Sequence, residues 1–162
     1  MTLREIRKED LLLILQWRNH PAVRSCMFSQ EEIAYEDHQA WFEREKQKKD
    51  SKWLLFLGDA NTPLGVVSIT KIDNSSKHAF WGFYANPEAP KGTGKIMCMA
   101  AINYCFSDLN LHKINAEVLE SNVRSQELHK RLDFKIEGIF KDHFLSNDKF
   151  ESVIRFAKIR NK

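Results

Sequence analysis

A chain of 162 residues with a formal net charge of +3 is one domain's worth of sequence, long enough to bury a proper core. That mild basicity suits an anionic small ligand and is far too weak for a nucleic-acid surface, while no apolar run reaches membrane-spanning length. The three cysteines (Cys26, Cys98, Cys105) are odd in number and lack metal-ligand spacing, so no metal is expected; with MTLREIRKED offering no signal-peptide pattern, a reducing cytoplasm is the expected location.

Thr2 to Ile6 suits a short strand. Asp10 then opens LLLILQW, a strongly apolar helix running to about Arg18 and stopped by Asn19-His20-Pro21. Residues 22–30 read as irregular. Glu31 to about Lys48 reads as a second helix, with Ile33, Ala34, Asp37, His38, Trp41 and Phe42 mostly on one face and a solvated charge run at its far end. Lys52 to Gly58 and Leu64 to Ile72 are strands around the turn at residues 59–63. A second turn, Asp73-Asn74-Ser75-Ser76, leads into a strand over 79–86 that ends at Pro87, so three strands form an antiparallel meander.

The stretch AFWGFYANPEAPKGTGK, residues 79–95, organises the rest. Lys91-Gly92-Thr93-Gly94-Lys95 joins the aromatic strand to an apolar helix that runs to Asp108. Glycine frees backbone N–H groups to converge on one spot, and the helix start adds the positive end of its dipole. Such a turn seats phosphate oxygens. It is neither a P-loop nor a dinucleotide fingerprint, because the glycine spacing fits neither and Met97 stands where a third glycine belongs. Cys98 and Cys105, seven apart on this helix, read as buried thiols. His112 to Leu119 alternates as a strand, and Asn122 to Leu132 has helical polarity. Phe134 to Ile159 reads as two long strands joined at Ser146-Asn147-Asp148-Lys149. The sum is a mixed α+β sheet, since a strand–helix–strand unit such as 79–119 makes its strands parallel neighbours.

This order, together with Leu3-Arg4, Trp17-Arg18-Asn19-His20-Pro21, Gly65, Gly82-Phe83-Tyr84-Ala85-Asn86-Pro87, the glycine turn, Asn122, Ser125, Leu132, Phe134 and Glu137-Gly138, resembles the GNAT superfamily of acetyl-CoA-dependent N-acetyltransferases. The resemblance spans essentially the whole chain. It implies a central, mostly antiparallel seven-stranded mixed sheet flanked by about four helices. Two positions depart from the family pattern: Ala89 replaces a Gln or Arg at the head of the glycine loop, and His129 stands where a tyrosine acid is common. Within the superfamily, ILQWRNHPAVRSCMFS, VVSITKID, FYANP and LHKINAEV are similar to the N-acetyltransferases of pseudaminic acid biosynthesis, which acetylate the 4-amino group of a UDP-linked 4-amino-4,6-dideoxy-N-acetyl-L-altrosamine in a route serving flagellin glycosylation.

The resemblance implies acetyl-CoA as co-substrate. Amides of Lys91, Gly92, Thr93, Gly94 and Lys95 would bind its pyrophosphate, with Lys91 and Lys95 as ionic neighbours. The pantetheine arm would lie along Phe83, Tyr84 and Ala85, and the N–H near Tyr84 would donate to the thioester oxygen. Asn122 and Ser125 complete the coenzyme side, Asn122 also as a helix cap. His78 and His38 are candidate bases because an unperturbed imidazole titrates near working pH, and His129 is a candidate acid for the thiolate. On the acceptor side stand Arg18, Met27, Phe28, His38, Thr70, Lys71 and Trp81, for a nucleotide diphosphate and apolar contacts; core packing is the plain alternative for Trp81 and Phe83. The partner is thus a small nucleotide sugar, without nucleic acid or membrane, and a homodimer is compatible with the sequence. Two rivals remain: acetylation of a protein N-terminus, since WRNHPAVR also resembles ribosomal-protein acetyltransferases, and a silent coenzyme A-binding module.

Overall fold

A computed structural model describes residues 1–146 and 148–160. Seven strands, β1 (Thr2–Glu5), β2 (Lys52–Leu57), β3 (Pro63–Asp73), β4 (His78–Ala85), β5 (Lys113–Leu119), β6 (Lys135–Ser146) and β7 (Lys149–Ile159), form one sheet in the order β1-β2-β3-β4-β5-β7-β6. Every neighbouring pair is antiparallel except β4 and β5. The helices are α1 (Leu11–Asn19), α2 (Pro21–Arg24), α3 (Tyr35–Lys46), α4 (Thr93–Asn103) and α5 (Val123–Arg131). The mixed α+β sheet expected from the sequence is therefore the one observed, with the four-residue α2 as a fifth helix inside a segment read as irregular. Of the expected turn 146–149, Asn147 lies outside the described residues.

Two apolar layers grip the sheet. On the front, α1 buries Leu11, Ile14 and Trp17 against Ile6, Leu55, Leu57 and Val66, with Tyr84 packed alongside. On the back, α4 buries Met97, Cys98 and Ala101 against Leu54, Phe56, Val67, Ile69 and Trp81. Alternation along each strand divides the two sets, because successive side chains point to opposite faces. Gly65 permits the close approach of α4: a Cβ there would sit 2.6 Å from Met97 Sδ and 2.9 Å from the Tyr84 carbonyl oxygen. Cys98 and Cys105 are fully buried, as expected, and burial pushes both thiols up. The helix expected to run to Asp108 is α-helical only to Asn103; Tyr104–Asp108 continue it as a wider π turn.

The N-terminal motif explains itself residue by residue. Trp17 is core, 6% exposed. Asn19 clamps the chain 14 residues on: its Nδ2 donates to the Ile33 carbonyl (2.8 Å) and its Oδ1 accepts from the Ile33 N–H (2.9 Å). His20 Nδ1 accepts from Ala22 N–H (3.2 Å), and Pro21 at the first helical position of α2 loses only an N–H that would lack a partner. Proline thus stops one helix and starts another. In front of α1, Arg4 holds the largely buried Asp10 with two bonds of 2.7 and 2.8 Å, and the Arg7 N–H adds a third of 2.7 Å.

Candidate active site

β4 and β5 pair over only three residues, His78 to Phe80 against Lys113 to Asn115. β4 continues to Ala85 and β5 to Leu119, so beyond Phe80 the sheet parts between them. The ladder to β3 decides which amides face this gap. Asn86 N–H donates to the Leu64 carbonyl (2.9 Å), so by alternation Gly82 and Tyr84 also turn their amides to β3, and Trp81, Phe83 and Ala85 turn theirs towards the gap. The expected thioester donor near Tyr84 is thereby narrowed: the Tyr84 amide itself faces Val66, and Phe83 and Ala85 on either side carry the outward N–H groups.

α4 starts beside this parted edge. Gly92 has φ +95° and ψ −15°, a left-handed conformation that an L side chain resists, although a Cβ would meet nothing within 4 Å. The turn is closed by Thr93, whose Oγ1 and N–H both donate to the Pro90 carbonyl (2.7 and 3.1 Å). Lys95 N–H is satisfied by the Gly92 carbonyl (3.0 Å). Among the described residues the amides of Lys91, Gly92 and Gly94 have no protein acceptor. Lys91, Gly92 and Lys95 are exposed and Gly94 is half-buried. Free amides at a helix start fit a diphosphate. At the end of β5, Asn122 caps α5 by accepting from Ser125 N–H (3.1 Å).

The front holds a second group. Arg18 Nη2 donates to the Ser29 carbonyl (2.6 Å), while its Nη1 is buried without a hydrogen-bond partner. His38 is 4% exposed, stacks on Trp41 at 4.9 Å and leaves Nε2 unpartnered. Burial, and secondarily the Arg18 charge, hold the His38 pKa below its ordinary value, so the ring is neutral at pH 7. Burial lowers the Arg18 pKa, with the nearby Tyr84 ring opposing and Arg24 assisting. The Tyr84 phenol is pushed up by burial and stays protonated. Arg18, His38 and Tyr84 are separate candidates in the sequence; the fold brings them together. Met27 is half-buried, and Phe28 meets Phe144 of β6 edge-on at 5.3 Å, so the segment after α2 reaches across to β6.

Three expected roles need correction. His129 is 2% exposed, within a cage of aromatic rings: Trp81 (5.7 Å), Phe83 (5.7 Å), Phe134 (5.1 Å) and Phe156 (5.2 Å). Trp81 Nε1–H donates to its Nε2 (3.2 Å), which leaves Nδ1–H to donate to the Ser125 carbonyl (2.8 Å). Burial depresses its pKa, opposed by the Ser125 contact. A neutral ring with both nitrogens engaged in the core has no proton to deliver. Trp81 lies on the back with it, 6% exposed and stacked on Phe134 at 5.0 Å, so it cannot line the front pocket. His78 opens β4, six residues and about 20 Å from Tyr84, beside Asp73 at 3.7 Å. It is too far away to act as a base there. Thr70 and the exposed Lys71 sit towards this same end of β3, Thr70 paired with Phe80.

Among the described residues no three His, Cys, Asp or Glu gather to hold a metal, and no helix is long and apolar enough to cross a membrane. The sequence profile of the Acetyltransferase (GNAT) domain matches residues 1–135. The acetyltransferase PseH of Campylobacter jejuni is 29% identical over 140 residues, 86% of each chain. The [ribosomal protein uS5]-alanine N-acetyltransferase of Escherichia coli is 31% identical over 105 residues, 64% of this chain and 54% of that one. A crystal structure of the spermidine N-acetyltransferase of Vibrio cholerae, in complex with CoA and spermine, superposes with a TM-score of 0.91 at 23% identity, over 98% of this chain and 94% of that one. With the profile covering most of its length, the chain belongs to the GNAT family and is an acetyl-CoA-dependent N-acetyltransferase.

Proposed function

We propose that the acceptor is the 4-amino group of a UDP-linked 4-amino-4,6-dideoxy sugar, UDP-4-amino-4,6-dideoxy-N-acetyl-β-L-altrosamine, as in pseudaminic acid biosynthesis. The observation that carries this reading is the unpartnered Nη1 of the half-buried Arg18 beside Tyr84. A buried guanidinium N–H left open asks for an oxygen from the substrate, at a cost of about 1–3 kcal/mol if none arrives. A polyamine would bring further positive charge to that spot; an amino sugar brings hydroxyl and acetamido oxygens. Nearby Arg24 is engaged by Glu32 at 3.6 Å, whereas Arg18 and Lys71 have no carboxylate partner among the described residues. The 29% identity to PseH supports the same choice.

The chain's groups then divide the work. Free amides at Lys91, Gly92 and Gly94, with the α4 dipole behind them, hold the coenzyme diphosphate. The outward amides of Phe83 and Ala85 align the pantetheine arm as an extra strand, and one of them donates to the thioester oxygen as it gains charge. Asn122 and Ser125 border the arm from α5. The neutral His38, with Nε2 free, accepts the proton of the attacking amine; a ring amine is less basic than lysine, so a modest base suffices. The thiolate needs no dedicated acid, because a thiol is already a good leaving group near neutral pH.

Coenzyme A release tests the reading. Turnover is expected with the UDP-4-amino sugar and absent with spermidine or with an N-terminal peptide of ribosomal protein uS5. Turnover with either of the latter and none with the sugar would remove it.

A further inference from the structure

Along the front of β4, the side chains at 84, 82 and 80 are Tyr, none and Phe. Gly82 therefore leaves a trough between two aromatic rings, floored by its own backbone and flanked on β3 by Ser68 and Thr70, which pair with Gly82 and Phe80. The floor is tight: Ser68 Oγ donates to the Gly82 carbonyl (3.3 Å), and a Cβ on Gly82 would lie 3.1 Å from that hydroxyl. At the far end stands Arg155 of β7. Its guanidinium lies over Phe80 at 4.5 Å and over Phe140 at 5.6 Å, and its Nη2 donates to Glu117 Oε1 (2.6 Å). Its Nε is buried without a partner, and its Nη1 has none among the described residues. Lys71 brings a second cation to the same ring, 5.0 Å from the Phe80 centroid. Lys71 sits at a bulge of β3 with φ +51°, the kind of irregularity that re-aims a side chain.

We propose that Arg155, fixed between Phe80 and Phe140, anchors the phosphates of the acceptor and so selects a nucleotide-linked amine over a free one. The inference rests on the amino-sugar reading and adds the residue that enforces it. Phe80 and Tyr84 are four residues apart, about 13 Å along the strand. A hexose ring carrying an amine at one end and two phosphates at the other spans roughly 10 Å with single bonds of about 1.5 Å. An amine placed at the Tyr84 end therefore puts its diphosphate at Arg155. Rings on the guanidinium hold it in one plane, and Glu117 fixes one edge, leaving Nη1 for a phosphate oxygen. The ion pair with Glu117 uses one nitrogen only.

Binding of UDP alone, measured by calorimetry, tests the anchor independently of turnover. UDP is expected to bind the wild type, and Arg155→Gln is expected to weaken it tenfold or more. Glu117→Gln removes the same ion pair but keeps the guanidinium, so it should hold UDP within about threefold of wild type and serves as the control for folding. In turnover, Arg155→Gln should raise KM for the UDP-4-amino sugar with kcat little changed. UDP binding that is absent, or indifferent to Arg155, overturns the anchor even if the UDP sugar is acetylated. UDP binding through Arg155 with no acetylation of the sugar would instead retain the anchor and overturn the amino-sugar reading.

Discussion

Replacing His129 with Phe separates a structural histidine from a catalytic one. The variant leaves the Trp81 indole N–H, on a residue 6% exposed, without its acceptor. An orphaned buried donor costs about 1–3 kcal/mol. The Ser125 carbonyl also loses the imidazole N–H, but it keeps its helical partner on α5. A larger ring must fit among Phe83, Phe134 and Phe156, whose centroids lie 5.1–5.7 Å away, which adds strain; burying an apolar ring in place of a polar one offsets part of it. The net loss is about 2 kcal/mol, or roughly 4–8 °C in Tm for a domain of this size. Thermal unfolding should show it, and adding Trp81→Phe should recover about 1 kcal/mol, because the donor leaves with its acceptor. Coenzyme A release at 25 °C should stay within about threefold of wild type. An unchanged Tm with turnover down a hundredfold would refute the packing argument and return the proton-donor role to His129.

The two buried histidines also set a pH dependence. Both pKa values lie below the ordinary 6.5 of the unfolded chain, first because of burial, so the unfolded state takes up protons that the folded state resists. Their contribution is fully present above about pH 6.5 and is lost as the pH falls below it. Tm should hold from pH 8 to 7 and decline from 6.5 to 5, less steeply in His129→Phe; a Tm that rises on acidification contradicts the assignment. At Gly92, substitution by Val forces a branched side chain into φ +95°, so acetyl-CoA affinity should fall tenfold or more by calorimetry while Tm drops only a few degrees. Retained affinity would show that the turn is not the diphosphate seat.

The elements were legible because each carries its own period and its own stop signal. The meander, the glycine turn and the cap at Asn122 are local matters. The amide directions along β4 were not, since they depend on the ladder to Leu64 and Val66 across 18 to 22 residues. The burial of His129 is hidden for a related reason. On α5 it looks like one polar residue among Lys130 and Arg131, and only the register of β4 and β7 encloses it with Trp81 and Phe156. His78 and Tyr84 share a strand in sequence, but pleat and rise place them at opposite ends. Arg155 gave no signal at all: a basic residue on an alternating strand is ordinary until Phe80, 75 positions earlier, is found beneath it.

A consequence follows from the parting of β4 and β5. On the proposed reading, the thioester arrives from the side of α4 and α5 and the amine from the side of α1, so the two molecules meet through a slit in a single wall. Neither has to vacate its place for the other. The acetyl group has no need of a resting point on a side chain, and the two thiols nearest the coenzyme side, Cys98 and Cys105, are sealed and poorly nucleophilic in any case. Direct handover is what this architecture favours, with donor and acceptor bound together at the moment of transfer.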